Sequence, residues 1–461
     1  MTATGQRSSA SRLEIADAQD SLLHGWLGAL VLRPAYDRVA LKGLLEVYFP
    51  LSRAWAAGLA ADGSSERFRS EVQRPELPTA LIEPALATIA RRRARLAEAV
   101  AAWEAAFFGA AEAPVAERIA CERARLRAAN RLMMARQAFL QMHVRGSLDP
   151  VRWDIPDEAA ARLDFADVLA DPRDPVPPAT TPIAESRPVP TTQAEDRWLR
   201  FEAPAADGEA WARVSTPTGA SDPPTLVFAH GVCIEDEYWA EMPDLTQEVL
   251  RRGVRVIRAE APWHGRRRLP GWFGGEPALG RGPLGMVELI RAWSAELAIL
   301  VAWARRTSAG PVAVGGVSMG ALTAQRLATS ATDWPVELRP DALFLIATSG
   351  DLGALAEENA LARALGAPAV AAARGWTAER LADWLPLAAP VGPPAMAPER
   401  IVMVLGSADD LVPYAGGAAL ARNWAVPPQN LFVRPQGHFS VSLGLIGDAA
   451  PQHRLAAVLG A

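Results

Sequence analysis

Between Trp198 and Arg434 the chain repeats one pattern, a short apolar and largely β-branched run that alternates with stretches of helical spacing. The strand candidates are Trp198–Phe201, Trp211–Ser215, Thr225–Ala229, Val254–Ala259, Val312–Gly315, Ala342–Ala347, Ile401–Leu405 and Asn430–Arg434. Helix-like stretches such as Trp239–Arg251, Val287–Arg306 and Ala321–Ser330 fall between the later ones. Runs that are apolar at every position belong to strands covered on both faces. The alternation therefore predicts an α/β fold with a mostly parallel, doubly wound sheet. Right-handed crossovers then put a site at the carboxyl ends of the strands, so the chemistry is to be sought in loops that directly follow strands.

The rest of the chain is of another kind. Residues Asp171–Gln193 carry seven prolines and no apolar periodicity, which reads as an extended linker. The expected organisation is an α-helical N-terminal region (1–170), a Pro-rich linker (171–193) and an α/β catalytic domain (194–461). Within the first part, Leu86–Phe108 and Val115–Val144 predict an antiparallel helical hairpin, with Gly109 and Pro114 at its turn. The aromatic-rich Leu22–Leu59 is expected to pack against it. The run Arg91-Arg92-Arg93 with Arg95 reads as a solvated helix face. This half shows no catalytic constellation.

Composition removes several function classes. Lys+Arg number 47 against 52 Asp+Glu, a net charge of −5, so nucleic acid is not an expected partner. The basic side is arginine except for Lys42. Two distant cysteines, Cys121 and Cys233, match neither a disulfide framework nor a metal spacing, and no metal is expected. The N-terminus lacks the apolar stretch of a signal peptide and no run of about 18 uncharged apolar residues occurs, so a cytoplasmic chain without a transmembrane segment is expected. Nothing in the sequence sets an oligomeric state.

The chemistry gathers in loops. Gly316-Val317-Ser318-Met319-Gly320 is G-x-S-x-G with an apolar strand before it and a helix after it. That context holds a serine hydroxyl up on a strained turn, so Ser318 is the candidate nucleophile. It needs an imidazole. Of six histidines, His24, His143, His230, His264, His438 and His453, only His438 follows the last strand in a small loop, which makes it the candidate base. A carboxylate must orient that base, and Asp409 and Asp410 both follow the strand before it; Asp351 is a third option. Two backbone N–H groups must hold the oxyanion. Met319, after the nucleophile, is one. Val232, in the loop His230-Gly231-Val232-Cys233, is the other, with Cys233 as fallback and His230 as a brace.

Residues Arg197–Ala461 resemble the α/β-hydrolase superfamily, on the pieces HGVC, APWHG, GVSMG, GSADDLVP and QGH in that family's order. The spacing G-x-x-D-x-x-V-P at Gly406–Pro413 points to Asp409 as the acid, with Asp410 the alternative. The resemblance implies a serine hydrolase of esters, lipid esters or thioesters, working without a cofactor through an acyl-enzyme. Where many members read D-x-P-G-x-G-x-S, this chain has Glu260-Ala261-Pro262-Trp263-His264-Gly265-Arg266-Arg267-Arg268. That form resembles a subgroup whose animal representative is called α/β-hydrolase domain-containing protein 18.

The substrate is expected to be a small-molecule or lipid ester. Trp263, His264 and Arg266 are candidate contacts, the arginine for an anionic head group. Trp272 is another, at an aromatic tip of a Gly/Pro-rich, mobile segment, Leu269–Gly285. A helical cap is expected over 351–399, with Trp376 and Trp384 either facing an apolar cavity or serving as core. An acyltransferase built on the same residues, and a catalytically silent binding module, are the alternatives.

Overall fold

The fold is that of a computed structural model in which residues 34–146, 148–206, 208–234 and 244–461 are described. The strands are β1 (Ala184–Glu185), β2 (Val189–Pro190), β3 (Ala194–Glu202), β4 (Glu209–Pro217), β5 (Thr225–Ala229), β6 (Arg255–Ala259), β7 (Val312–Val317), β8 (Ala342–Ile346), β9 (Ile401–Gly406) and β10 (Leu431–Arg434). They form one sheet in the order β1-β3-β4-β6-β5-β7-β8-β9-β10, with β2 beside β3. β3, β4 and β6 pair antiparallel, and every pair from β6 through β10 is parallel. The α/β class and the mostly parallel sheet are as the strand pattern predicts. Each of the eight expected strands is present, β3 and β4 longer than their apolar runs because their nine-residue antiparallel pairing continues into polar residues such as Glu195, Glu202 and Glu209.

Alternate residues of each strand feed two layers. Val227, Ala229 and Ile257 meet the helices Gly282–Thr307 and Met319–Ser330. Leu226, Phe228 and Val256 meet Gln247–Arg251 and Ala450–Leu459 on the other face. Burial on both faces is why these strands read as continuous apolar runs. The part of Trp239–Arg251 before residue 244 lies outside the described residues.

The N-terminal region is helical, as expected: Pro34–Gly43, a π-helical turn Leu44–Tyr48, Phe49–Ala60, Ser65–Val72, Thr79–Phe108 and Val115–Met133. The second arm of the hairpin does not run on to Val144. It tightens into a 3₁₀ turn at Met134–Phe139 and resumes at Leu140–Gly146, where Phe139 is drawn in to stack on Phe68 at 5.4 Å. Arg91, Arg93 and Arg95 are solvent-exposed. Leu22–Val31 lies outside the described residues.

This region seats on the sheet unit in two places. At the antiparallel edge, Trp103 and Phe107 close with Trp198 and Trp211 into one aromatic cluster. At the other seat Phe49 stacks on Phe273 at 5.7 Å, and Arg53 donates to the Gly271 carbonyl at 2.8 Å. The Pro-rich segment between the two parts runs extended but is fastened. Asp174 pairs with Arg291 at 3.0 Å and Arg326 at 2.7 Å, and β1 and β2 add to β3.

The two covering segments have different outcomes. Leu269–Gly285 is not an exposed aromatic tip: Trp272 and Phe273 are buried, and Glu276 accepts from the N–H groups of Phe273 and Arg152. Its glycines answer close approach; a Cβ on Gly275 would stand 2.4 Å from His264 Nε2. Residues 351–399 fold as short helices, including Leu352–Glu358, Ala360–Ala364 and Ala367–Ala372. Trp376 and Trp384 are core there, donating to the Pro156 carbonyl and to Glu158. No helix among the described residues is long and apolar enough to cross a membrane.

Candidate active site

The order of strands reverses around β5: the chain leaves β5 for β6 on one side and reaches β7 on the other. That reversal opens a crevice at the carboxyl ends of β5 and β7. The crossing is so close that only glycine fits beside it. A Cβ on Gly320 would lie 2.2 Å from the Ala229 carbonyl oxygen. Ser318, between β7 and the helix Met319–Ser330, takes φ 55° and ψ −119°, a conformation that costs a non-glycine residue on the order of 1–3 kcal/mol. Cys233, Trp263 and Ala347, after β5, β6 and β8, also have positive φ. Backbone strain thus gathers along the same sheet edge as the candidate residues.

Ser318 Oγ lies 2.9 Å from His438 Nε2, and His438 Nδ1 lies 2.8 Å from Asp409 Oδ2. With its Nδ1–H donated to the carboxylate, the ring leaves Nε2 to accept from the serine hydroxyl. Asp409 is itself fixed, its Oδ1 accepting from the N–H groups of Leu411 at 3.0 Å and Val412 at 2.8 Å. Asp410 is exposed and stands outside this chain of bonds. Asp351 caps the helix after it by accepting from Ala354 N–H. His438 is buried, which disfavours a charged imidazole; Asp409, helped by Asp37 and Asp410, outweighs that and raises its pKa above the usual value.

The loops after β5 and β6 brace each other through two histidines. His264 Nε2 accepts from Cys233 N–H at 3.1 Å while its Nδ1–H donates to the Pro262 carbonyl. His230 Nε2 accepts from Ala261 N–H at 3.2 Å while its Nδ1–H donates to the Gly231 carbonyl. Each loop thus lends a ring acceptor to the other's backbone. Burial, with His230 and Arg267 nearby, keeps His264 well below its ordinary pKa, as an acceptor must be. Since Cys233 N–H is taken, it is a poor fallback oxyanion donor. No acceptor for Val232 N–H is found among the described residues, and a Cβ on Gly231 would stand 3.8 Å from Ser318 Cβ. Met319 N–H, at the first helical position, has no acceptor within its helix.

The other candidate contacts are mostly engaged within the protein. His264 is fully buried in its brace. Arg266 pairs with Glu260 at 3.3 Å and lies over the Trp103 and Trp211 rings. Trp272 is buried beneath Arg152, and Trp263 is half-buried at φ 63°. Arg267 is paired with Glu296 at 2.7 Å. An anionic head group therefore finds Arg266 and Arg267 already engaged. No sequence motif marks Asp37, which is buried beside the His438 loop. A helix N-cap that is glycine was the signal that could have prompted a search for it.

No family model matches this chain, and no curated protein matches it. Among solved structures it is similar to a cold-adapted esterase from an Arctic intertidal metagenomic library, at 16% identity and TM-score 0.38, over 59% of this chain and 97% of that one. It is also similar to acetyl xylan esterase 1 from Thermoanaerobacterium, at 16% identity and TM-score 0.41, over 63% and 94%. A third is a thermostable carboxyl esterase from Bacillus coagulans, at 14% identity and TM-score 0.36, over 54% and 96%. Function has to be read from the site itself.

Proposed function

We propose that the chain is a serine hydrolase of carboxylic esters, lipid esters and thioesters included. The observation that carries this is the unbroken Ser318–His438–Asp409 chain of hydrogen bonds, its serine on a strained turn at a helix N-terminus. His438 Nε2 takes the hydroxyl proton as Ser318 Oγ bonds to the acyl carbon. The carbonyl oxygen becomes an oxyanion held by the N–H groups of Met319 and Val232. Collapse breaks the ester bond, and the imidazolium returns the proton to the leaving alcohol or thiol. Water then repeats the sequence on the acyl-enzyme and frees the acid.

An apolar substrate portion suits the surroundings. Leu361, Leu411 and Phe439, beside the Asp409 and His438 loops, share a core with Leu41, Leu44 and Leu45 of the helical region. An apolar acyl group is the expected guest. The test is covalent labelling with a fluorophosphonate probe, followed by hydrolysis of p-nitrophenyl esters of increasing chain length. Labelling within minutes that disappears in Ser318→Ala is the expected result. A folded wild type that does not label would overturn the proposal and favour a binding module. Acyl transfer to an added alcohol that outpaces hydrolysis would recast the enzyme as an acyltransferase.

A further inference from the structure

Helix His438–Gly444 begins with the candidate base, and its N-cap is Gly437. A helix start needs a side-chain acceptor for its second and third N–H groups, and glycine has none to give. The acceptor arrives from 400 positions upstream. Asp37, in helix Pro34–Gly43 and 4% exposed, accepts through Oδ1 from Phe439 N–H at 2.6 Å and Ser440 N–H at 3.1 Å. Its Oδ2 accepts from the Ser440 hydroxyl, which in turn accepts from Gly437 N–H at 3.0 Å. The approach requires glycine at the cap: a Cβ there would meet Asp37 Cγ at 2.5 Å.

We infer that Asp37 is a positioning residue of the active site, a cap in trans through which the N-terminal helical region sets the place and charge of His438. The inference rests on the hydrolase mechanism proposed above, for which it supplies a purpose for that region. A carboxylate bound to the first-turn N–H groups fixes the backbone on which the imidazole hangs. Its negative charge also favours the imidazolium that forms as Ser318 attacks. The charged and titratable groups facing His438 are Asp409 on the β9 loop, Asp410 beside it and Asp37 on the helical region, with the Ser318 hydroxyl opposite.

The test is a set of four variants measured in the full-length protein. Asp37→Asn keeps the shape and one acceptor but loses the charge. It is expected to move the acid limb of kcat/KM to lower pH, since removing a carboxylate lowers the His438 pKa. Asp37→Ala also removes the cap and is expected to lower kcat by roughly 10-fold with KM little changed. Gly437→Asp alone forces two carboxylates together and is expected to be worse than either. In the Asp37→Ala background, however, it supplies a local cap in the vacated space and is expected to restore part of kcat.

A rescue of that sign cannot come from a residue that only fastens two parts of the molecule together. An unmoved acid limb in folded Asp37→Asn would overturn the inference, as would Asp37→Ala that Gly437→Asp fails to rescue. The His438 imidazole can also be titrated by NMR without turnover. A downward shift in Asp37→Asn is expected there even in a protein that hydrolyses nothing, which separates failure of this inference from failure of the proposed reaction.

Discussion

In the sheet half of the molecule, Ser318, Asp409 and His438 stand within four residues of the ends of β7, β9 and β10, so one architectural rule places all three. In the helical half no rule of that kind operates. Its seats are single long-range contacts: Trp103 against Trp198 and Trp211, Phe49 against Phe273, and Asp37 against the start of the His438 helix. The sheet presents its candidate residues in local motifs, whereas the helices reach them only through what they touch. The two seats also differ from each other. The edge seat centres on packed aromatic rings, with the Trp103 and Trp198 indole N–H groups lacking acceptors among the described residues, and bonds such as Arg187 to the Gly109 carbonyl only flank that cluster. The seat over the site joins its Phe49–Phe273 stack to hydrogen bonds made by charged side chains, Arg53 and Asp37.

The largest expected effect tests the sheet side. Asp409→Asn should lower kcat on the order of 10⁴-fold, because the imidazole loses the partner that sets its tautomer. Asp410→Asn should stay within a few-fold, its carboxylate lying outside the bonded chain. Esterase kinetics on the two variants decide it; equal losses would mean that the two carboxylates share the role.

The edge seat predicts a loss of another sort. Trp103→Ala removes a ring that stacks on Phe107 at 5.0 Å and meets Trp198 edge-on at 5.3 Å. It should cost about 3–5 kcal/mol in stability while leaving kcat/KM of the folded fraction near wild type. Denaturant midpoints and active-site titration together separate the two. A matching fall in kcat would mean that the edge seat also governs the site, and the contrast between the seats would be lost.

These contrasts account for what could be read in advance. The central strands were legible because burial on both faces leaves a local mark, an apolar run such as Leu226–Ala229. Ser318, His438 and Asp409 were legible as residues following those runs, though their bonding was not. Asp37 was not legible, since a cap supplied from another part of the chain has no spacing to betray it. The break at Met134 falls where the sequence offers neither glycine nor proline. The glycines of Leu269–Gly285 suggested mobility because a sequence does not distinguish a glycine that must bend from one that must let a neighbour in.

The histidine brace sits between the two kinds of region, local in position but acting through another group. His264→Ala leaves Cys233 N–H without its acceptor and frees the loop that presents Val232. Deleting an oxyanion donor outright costs about 10²–10³-fold, so loosening one should lower kcat by roughly 10- to 100-fold. The pH profile should keep its shape, because burial holds His264 well below its ordinary pKa while its Nε2 accepts from Cys233 N–H. A changed acid limb would show that His264 titrates and that the site has a second proton carrier.

The smallest effect concerns Glu276, which ties the Phe273 loop to Arg152 and lies 3.8 Å from Arg53. Burial pushes its carboxyl up to about 7, against the pull of Arg53 and of two backbone N–H groups. In the unfolded chain the group ionises near its ordinary value of 4.5, so between those two values the folded state holds the proton more tightly. Stability should therefore be highest below the lower value and decline as pH rises through the upper one, by about 1–3 kcal/mol in all. Glu276→Gln starts from a lower stability, since its amide cannot accept from both N–H groups, but it should lack that slope. Thermal melts of both proteins at pH 5 and pH 8 give the difference directly. If the two slopes are equal, Glu276 is ionised throughout, and the Arg53 contact is then a working ion pair that holds the helical region over the site by charge.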